Sequence, residues 1–167
     1  MKKYFVLLLV IFVQLSCGYR IAGLDDVNVK ERFFVSDILN LTSESEYTSV
    51  LTSEIYDFFS KHNLLSKSKE NSAQLVVRLK KVNYESKILQ SYSRATSSDL
   101  NIIVDIEVKK DGKSIYKNTF TDSNSYIIST NITETLNNRN EAFVKSINNI
   151  LMDFINDYKE KNINSGK

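Results

Sequence analysis

Leu100-Asn101-Ile102-Ile103-Val104-Asp105-Ile106-Glu107-Val108, followed by Lys109-Lys110-Asp111-Gly112, is the stretch that decides the fold. Leu100, Ile102, Val104, Ile106 and Val108 alternate with Asn101, Asp105 and Glu107. A period of two predicts a strand with one buried and one mostly polar face. Asp111-Gly112 supplies the positive-φ residues of a tight hairpin turn. Ile115 to Phe120 then returns as a fourth strand, with weaker alternation. Upstream, Ala73, Leu75, Val77 and Leu79 share a face opposed by Gln74, Arg78 and Lys80. After Lys80-Lys81 the phase changes, and Val82 and Tyr84 become the apolar positions. A one-residue slip of this kind predicts a β-bulge. Glu85 to Ser98 reads as a long polar hairpin tip joining strands two and three. Strands two to four therefore form an antiparallel meander.

Two amphipathic helices complete the pattern. Val27, Val29, Phe33 and Val35 alternate with Asn28, Lys30 and Arg32, which predicts a first strand from Val27 to Val35. A polar stretch, Asn40 to Ser45, follows it, and Ser43 and Glu46 have the spacing of a capping box. From about Glu46 to His62, the residues Leu51, Ile55, Phe58, Phe59 and His62 fall on one helical stripe, and Asn63 ends the helix. Thr121 to Leu136 shows no strong period and reads as a linker. Asn138 and Glu141 are spaced like a second capping box. Phe143, Ile147, Ile150, Leu151, Phe154 and Tyr158 form the stripe of a last helix that runs to about Lys159. The order is β-α-β-β-β-α. One apolar stripe per helix and one apolar sheet face predict an α+β, two-layer sandwich, with two helices on one face of a four-stranded mixed sheet.

The start of the chain sets the compartment. Lys2 and Lys3 precede an apolar run from Tyr4 to Val13, and Leu15-Ser16-Cys17 follows. The run is too short for the ~20 residues of a spanning helix and describes an export signal. Leu15-Ser16-Cys17 resembles the lipobox of bacterial lipoproteins. That likeness implies cleavage before Cys17, with S-diacylglycerol on its thiol and an N-acyl chain on its amine. Each buried CH₂ contributes about 0.8 kcal/mol, so several chains together hold a protein on a membrane. Gly18 after the cysteine resembles outer-membrane sorting. An ordinary signal peptide with a stray cysteine is the alternative. The expected organisation is a signal over 1–16, an acylated tether over 17–26, one domain over 27–160 and a frayed tail over 161–167.

Of 167 residues, 42% are hydrophobic and 11% aromatic, which suits one globular domain. The formal charge of +2 comes from Lys2 and Lys3, so the mature chain is near neutral and nucleic acid is not an expected partner. Acylation would consume Cys17, the single cysteine, so no thiol–imidazole pair remains with His62, the single histidine, and only carboxylate metal sites are open. No cofactor is expected. A Walker loop and a G-x-G-x-x-G turn are both absent. His62 ends its helical stripe, and a helix-end role is the expectation. Basic residues are the remaining candidates: Arg78, Lys80, Lys81, Lys87 and Arg94 on or near strand two, and Lys109, Lys110, Lys113 and Lys117 around the second hairpin. They read either as a solvated face that protects a sheet edge or as a patch for phosphate or anionic lipid.

Several short motifs occur in a particular order. They are Cys17-Gly18-Tyr19, Phe34-Val35 leading to Asn40-Leu41-Thr42, Glu46-Tyr47 opening a helix, Ala73-Gln74-Leu75-Val76-Val77 and Arg139-Asn140-Glu141-Ala142. This order resembles the lipopolysaccharide-assembly lipoprotein family (LptE-like) over nearly the whole mature chain. The resemblance implies two helices on a four-stranded sheet. It implies a non-enzymatic outer-membrane lipoprotein that plugs, and helps assemble, the large β-barrel delivering lipopolysaccharide to the cell surface. It further implies lipopolysaccharide contact by basic residues, the nearest here being Arg78, Lys80, Lys87 and Arg139. The lack of proline departs from many members of that family. The alternatives are a generic periplasm-facing lipoprotein scaffold of another envelope complex and a hydrolase with two converging acids.

Overall fold

The computed structural model describes residues 31–70, 72–87 and 97–165, the last four as backbone. The elements run β1 (Phe33–Asn40), α1 (Tyr47–Lys61), β2 (Ala73–Lys87), β3 (Ser97–Lys110), β4 (Lys113–Ile127) and α2 (Ile132–Ser165). The sheet order is β1-β2-β3-β4. β1 pairs with β2 in parallel, and the other two pairings are antiparallel. The architecture is the two-layer sandwich expected from the sequence. Both helical stripes pack into one core with Phe33, Leu75, Val77, Leu79, Leu100, Ile102, Val104, Ile106 and Val108 from a single sheet face.

The expected β-bulge sits between Leu79 and Lys81, and it keeps Val82 and Tyr84 facing Ile102 and Leu100. Asp111 and Gly112 have φ of 51° and 75°, the positive-φ pair that a tight hairpin turn requires. Asn63, at φ 56°, ends α1, whose last turn packs His62 against Phe58 with ring centroids 4.6 Å apart. Phe154 is the hub of an aromatic cluster. The rings of Phe33, Tyr116 and Tyr158 lie 5.5–5.7 Å away and those of Phe59 and Phe120 6.4 Å away.

Several boundaries differ from the expectation. β1 continues to Asn40, five residues past Val35, across a register shift between Val35 and Asp37. Val27 and Val29, with the expected domain start, lie outside the described residues. The Ser43–Glu46 capping box is not formed: Glu46 itself is the N-cap of α1, without a side-chain cap. The preceding turn winds instead around Asn40, whose carboxamide accepts from Thr42 and donates to the Glu44 carbonyl. The hairpin tip is shorter than expected, because β2 reaches Lys87 and β3 begins at Ser97.

The largest correction falls on 121–136, which is strand and helix rather than linker. β4 runs to Ile127 and α2 starts at Ile132, where Asn131 Oδ1 accepts the Thr133 amide at 2.9 Å. Asn138 and Glu141 are therefore helix interior, not a capping box, and the helix passes Lys159 to reach Ser165. The physical cause is that β4 turns polar residues inward. Asn124 donates to Ser146 Oγ of α2 at 2.8 Å and to Asp122 at 2.6 Å, and Asn118 donates to Asp157 of α2 at 3.0 Å. Satisfied polar groups take the positions where alternating apolar residues would have announced a strand.

Candidate functional site

The uncovered sheet face brings three of the sequence candidates together and matches each with an acid. Arg78 lies opposite Asp105 in the register, and its long side chain reaches the diagonal neighbour, Glu107 Oε2, at 3.0 Å. Lys80 Nζ lies 3.5 Å from Asp105 and Lys87 Nζ 2.7 Å from Asp99. Lys109 adds a longer contact of 3.8 Å to Glu107. β4 supplies hydroxyls, with Thr119 donating to Asp105 and Ser125 to Asp99. Glu107 is nearly buried. Burial by itself would raise its carboxyl. Hydrogen bonds from Arg78 and Ser114, with the charges of Lys109 and Arg78, outweigh that and hold it below the ordinary carboxylate range. Lys87 and Ser125 likewise lower Asp99. Solvent screens pairs this exposed, so the ladder organises charge more than it stabilises. An arriving phosphate would compete with carboxylates already in place.

Arg139 is not part of that face. It projects from α2 on the helix side of the sheet. Its Cζ lies 5.3 Å from the ring centroid of Tyr84 and 5.8 Å from that of Tyr47. Arg139 Nη2 donates to Glu46 Oε1 at 3.0 Å. The two tyrosine hydroxyls are 3.1 Å apart, and Tyr84 also donates to Glu44. Tyr47 stacks on Phe143 at 4.0 Å. Burial pushes both phenols above their ordinary range. The guanidinium thus ties together α2, the start of α1 and the upper part of β2. Its Nε is buried and has no partner among the described residues.

A third feature escaped the sequence reading. At the end formed by β4 and the start of α2, Ile127 is 67% exposed, Ile132 78% and Leu136 42%. Beside them is an open cleft of about 320 Å³, lined by Ser97, Asn124, Tyr126, Ile127, Asn138 and Ala142 among others, with the carboxylate of Glu141 at its wall. A strand announced by polar inward residues and a helix start without an apolar stripe left no periodic signal for this surface. Among the described residues, no group of three or more His, Cys, Asp or Glu is placed to hold a metal. No described helix is long and apolar enough to cross a membrane. Cys17 lies outside the described residues.

No protein-family model and no curated protein matches the chain. Solved structures do. The fold is similar to that of rare lipoprotein B from Shewanella oneidensis, with TM-score 0.53 and 12% identity over 80% of this chain and 99% of that one. It is similar to a hypothetical protein from Chlamydia trachomatis, with TM-score 0.54 and 8% identity over 76% and 96%. It is also similar to a protein from Xanthomonas campestris, with TM-score 0.50 and 10% identity over 79% and 87%. At these identities the likeness is one of fold: the chain shares the two-helix, four-strand architecture of rare lipoprotein B.

Proposed function

We propose that the chain is an outer-membrane lipoprotein, acylated at Cys17, that plugs and helps assemble the β-barrel delivering lipopolysaccharide to the outer leaflet. It acts by fitting a larger protein and not by turning over a substrate. The observation that carries this reading is the fold shared with rare lipoprotein B, in a chain that also begins with a lipobox-like Leu15-Ser16-Cys17. The uncovered sheet face supports it. That face is polar and internally paired through Arg78–Glu107, Lys80–Asp105 and Lys87–Asp99, a surface suited to a polar barrel lumen. The apolar end at Ile127, Ile132 and Leu136 gives a partner something to bury.

Direct lipopolysaccharide contact is a finer part of the proposal. Lys87 is the best placed of the candidates: it is half exposed and ends β2 just before residues 88–96, which include Arg94. Its ammonium would exchange Asp99 for a lipid phosphate. Arg139 is the least suited, being held between two tyrosines and Glu46. Depletion of the protein tests the role. Surface lipopolysaccharide should fall, and a wild-type copy, but not Cys17→Ala, should restore it. Unchanged surface lipopolysaccharide after depletion would overturn the proposal.

A further inference from the structure

The sheet order leaves two edges, β1 and β4, and they are protected unequally. β1 is 8 residues long and is broken by the register shift between Val35 and Asp37. Its start is already covered: the Phe33 amide donates to the Leu64 carbonyl at 2.7 Å, and the Phe33 carbonyl accepts the Ser66 amide at 2.8 Å. Asp37 adds an exposed charge. Short length, a bulge, a covering loop and a charge are the means by which sheets prevent edge pairing. β4 is 15 residues long. Exposed Lys113 and Lys117 guard its first part only. From Asn118 to Ile127 it carries no proline and no cation, and its one acid, Asp122, is turned to Asn124 and to Asn149 of α2.

Two asparagines show which backbone groups of β4 point away from the sheet. The Thr119 amide donates to Asn118 Oδ1 at 2.9 Å, and the Ile127 carbonyl accepts from Asn138 Nδ2 at 3.0 Å. Neither group is therefore spent on β3. In an antiparallel ladder the outward-facing residues recur at every second position. Thr121, Ser123 and Ser125 lie between the two capped residues, in the same phase, and all three are exposed. Each directs one N–H and one C=O outward. Among the described residues nothing takes these groups.

We propose that this part of β4 takes a fifth strand from the barrel partner, an extended, uncharged segment that pairs with Thr121, Ser123 and Ser125. The proposal rests on the reading of the chain as a barrel plug and names how the two proteins join. Donors and acceptors at this alternating spacing are matched by extended backbone. A closed barrel has no free edge of its own, so one of its loops lends the strand. Ile127, Ile132 and Leu136 lie exposed where β4 ends and α2 begins, and they give that segment apolar contacts. A second copy of this chain fits less well. Antiparallel pairing centred on Ser123 would set the copy's Lys117 diagonally beside Ile127.

Hydrogen exchange tests the edge by itself. In the full mature chain carrying Cys17→Ser, the amides of Thr121, Ser123 and Ser125 should exchange fast and those of Asp122 and Asn124 slowly. Equally slow exchange at all of them would mean that another segment of the chain or a second copy covers the edge, and equally fast exchange that the phase is wrong. Either result would overturn the proposal. Co-purification from detergent-solubilised outer membrane tests the partner. Ser123→Pro removes an outward N–H, which an edge strand tolerates, and should lower the barrel recovered per tagged chain at least ~10-fold while the melting midpoint stays near wild type. Ser123→Lys keeps the N–H and sets a charge on the edge, so it should lose the barrel as well, even where the proline variant fails to fold. Ser123→Ala should recover the barrel in full, because the backbone and not the hydroxyl is read. Full recovery with Ser123→Lys, or equal loss with Ser123→Ala, would overturn the proposal and leave the plug reading standing. No barrel with the wild-type chain would overturn the plug reading, and with it the partner named here.

Discussion

The guanidinium of Arg139 lies 5.3 Å from the ring centroid of Tyr84, although the two are 55 positions apart in the chain. A second ring, Tyr47, and the carboxylate of Glu46 complete its surroundings. A half-buried cation over a ring contributes roughly 0.5–2 kcal/mol, and an exposed ion pair less. Arg139→Ala should therefore lower stability by about 1–2 kcal/mol in chemical denaturation. Arg139→Lys should recover only part of this, because an ammonium cannot stack and bond Glu46 with the same fork. Wild-type stability in Arg139→Ala together with lost lipopolysaccharide binding would instead make Arg139 a ligand residue.

Phe154 touches the aromatic rings of both β-sheet edges and both helices, through Phe33, Tyr116, Phe59 and Tyr158. It is fully buried. Phe154→Ala removes the hub and leaves a cavity, which costs about 3–5 kcal/mol. A single domain has roughly 5–15 kcal/mol in all, so this variant should melt far below the wild type in a thermal scan.

The turn at Asp111-Gly112 makes a smaller, cleaner demand. Gly112 has φ +75°, and a Cβ added there meets nothing within 4 Å. The cost of Gly112→Ala is then backbone strain alone, about 1–2 kcal/mol for an L-residue in the left-handed region. The midpoint of urea unfolding should shift accordingly, with the slope unchanged.

The acids with lowered carboxyls predict the acid limb of stability. Glu31, Asp99, Glu107 and Asp157 all sit below their ordinary values in the folded chain. The unfolded chain therefore binds protons more readily. Stability from these groups is complete above the unfolded carboxylate values, 3.8 for Asp and 4.5 for Glu, and is lost as pH falls through the lower folded values. Glu107→Gln removes its share of that slope and leaves Arg78 without a carboxylate partner, so the variant should be less stable at pH 7 and less sensitive to acid. Denaturation curves at pH 7 and pH 3 check both statements. The phenols of Tyr47, Tyr84 and Tyr116 are raised, so their contribution holds below 10.0 and fades as pH rises beyond it.

The two-layer fold was legible because its decisive positions are apolar and periodic. Leu100 to Val108 names its buried face residue by residue, and Lys80-Lys81 marks a bulge through a change of phase. The second half of β4 was not legible, because Asp122 and Asn124 point inward to polar partners on α2, one of them Ser146. The overhanging first turns of α2 have no core to face, so nothing periodic marks residues 132–141. The basic candidates were visible as residue types, but their pairing was not. Arg78 meets Glu107 only through a cross-strand register, and Arg139 meets Tyr84 only because three elements converge.

The exposed end of α2 yields a prediction about partners. Ile132→Ser with Leu136→Ser should lower stability by no more than about 1 kcal/mol, since Ile132 is 78% and Leu136 42% exposed. The same double variant should weaken recovery of a barrel partner from membranes.

Co-purification through a C-terminal tag from detergent-solubilised outer membrane, read by mass spectrometry, tests the central claim most directly. A large β-barrel protein recovered in near-equal amount, with a fatty-acylated Cys17 on the tagged chain, is the predicted result. A tagged chain that emerges alone, or with no barrel among its companions, would contradict it.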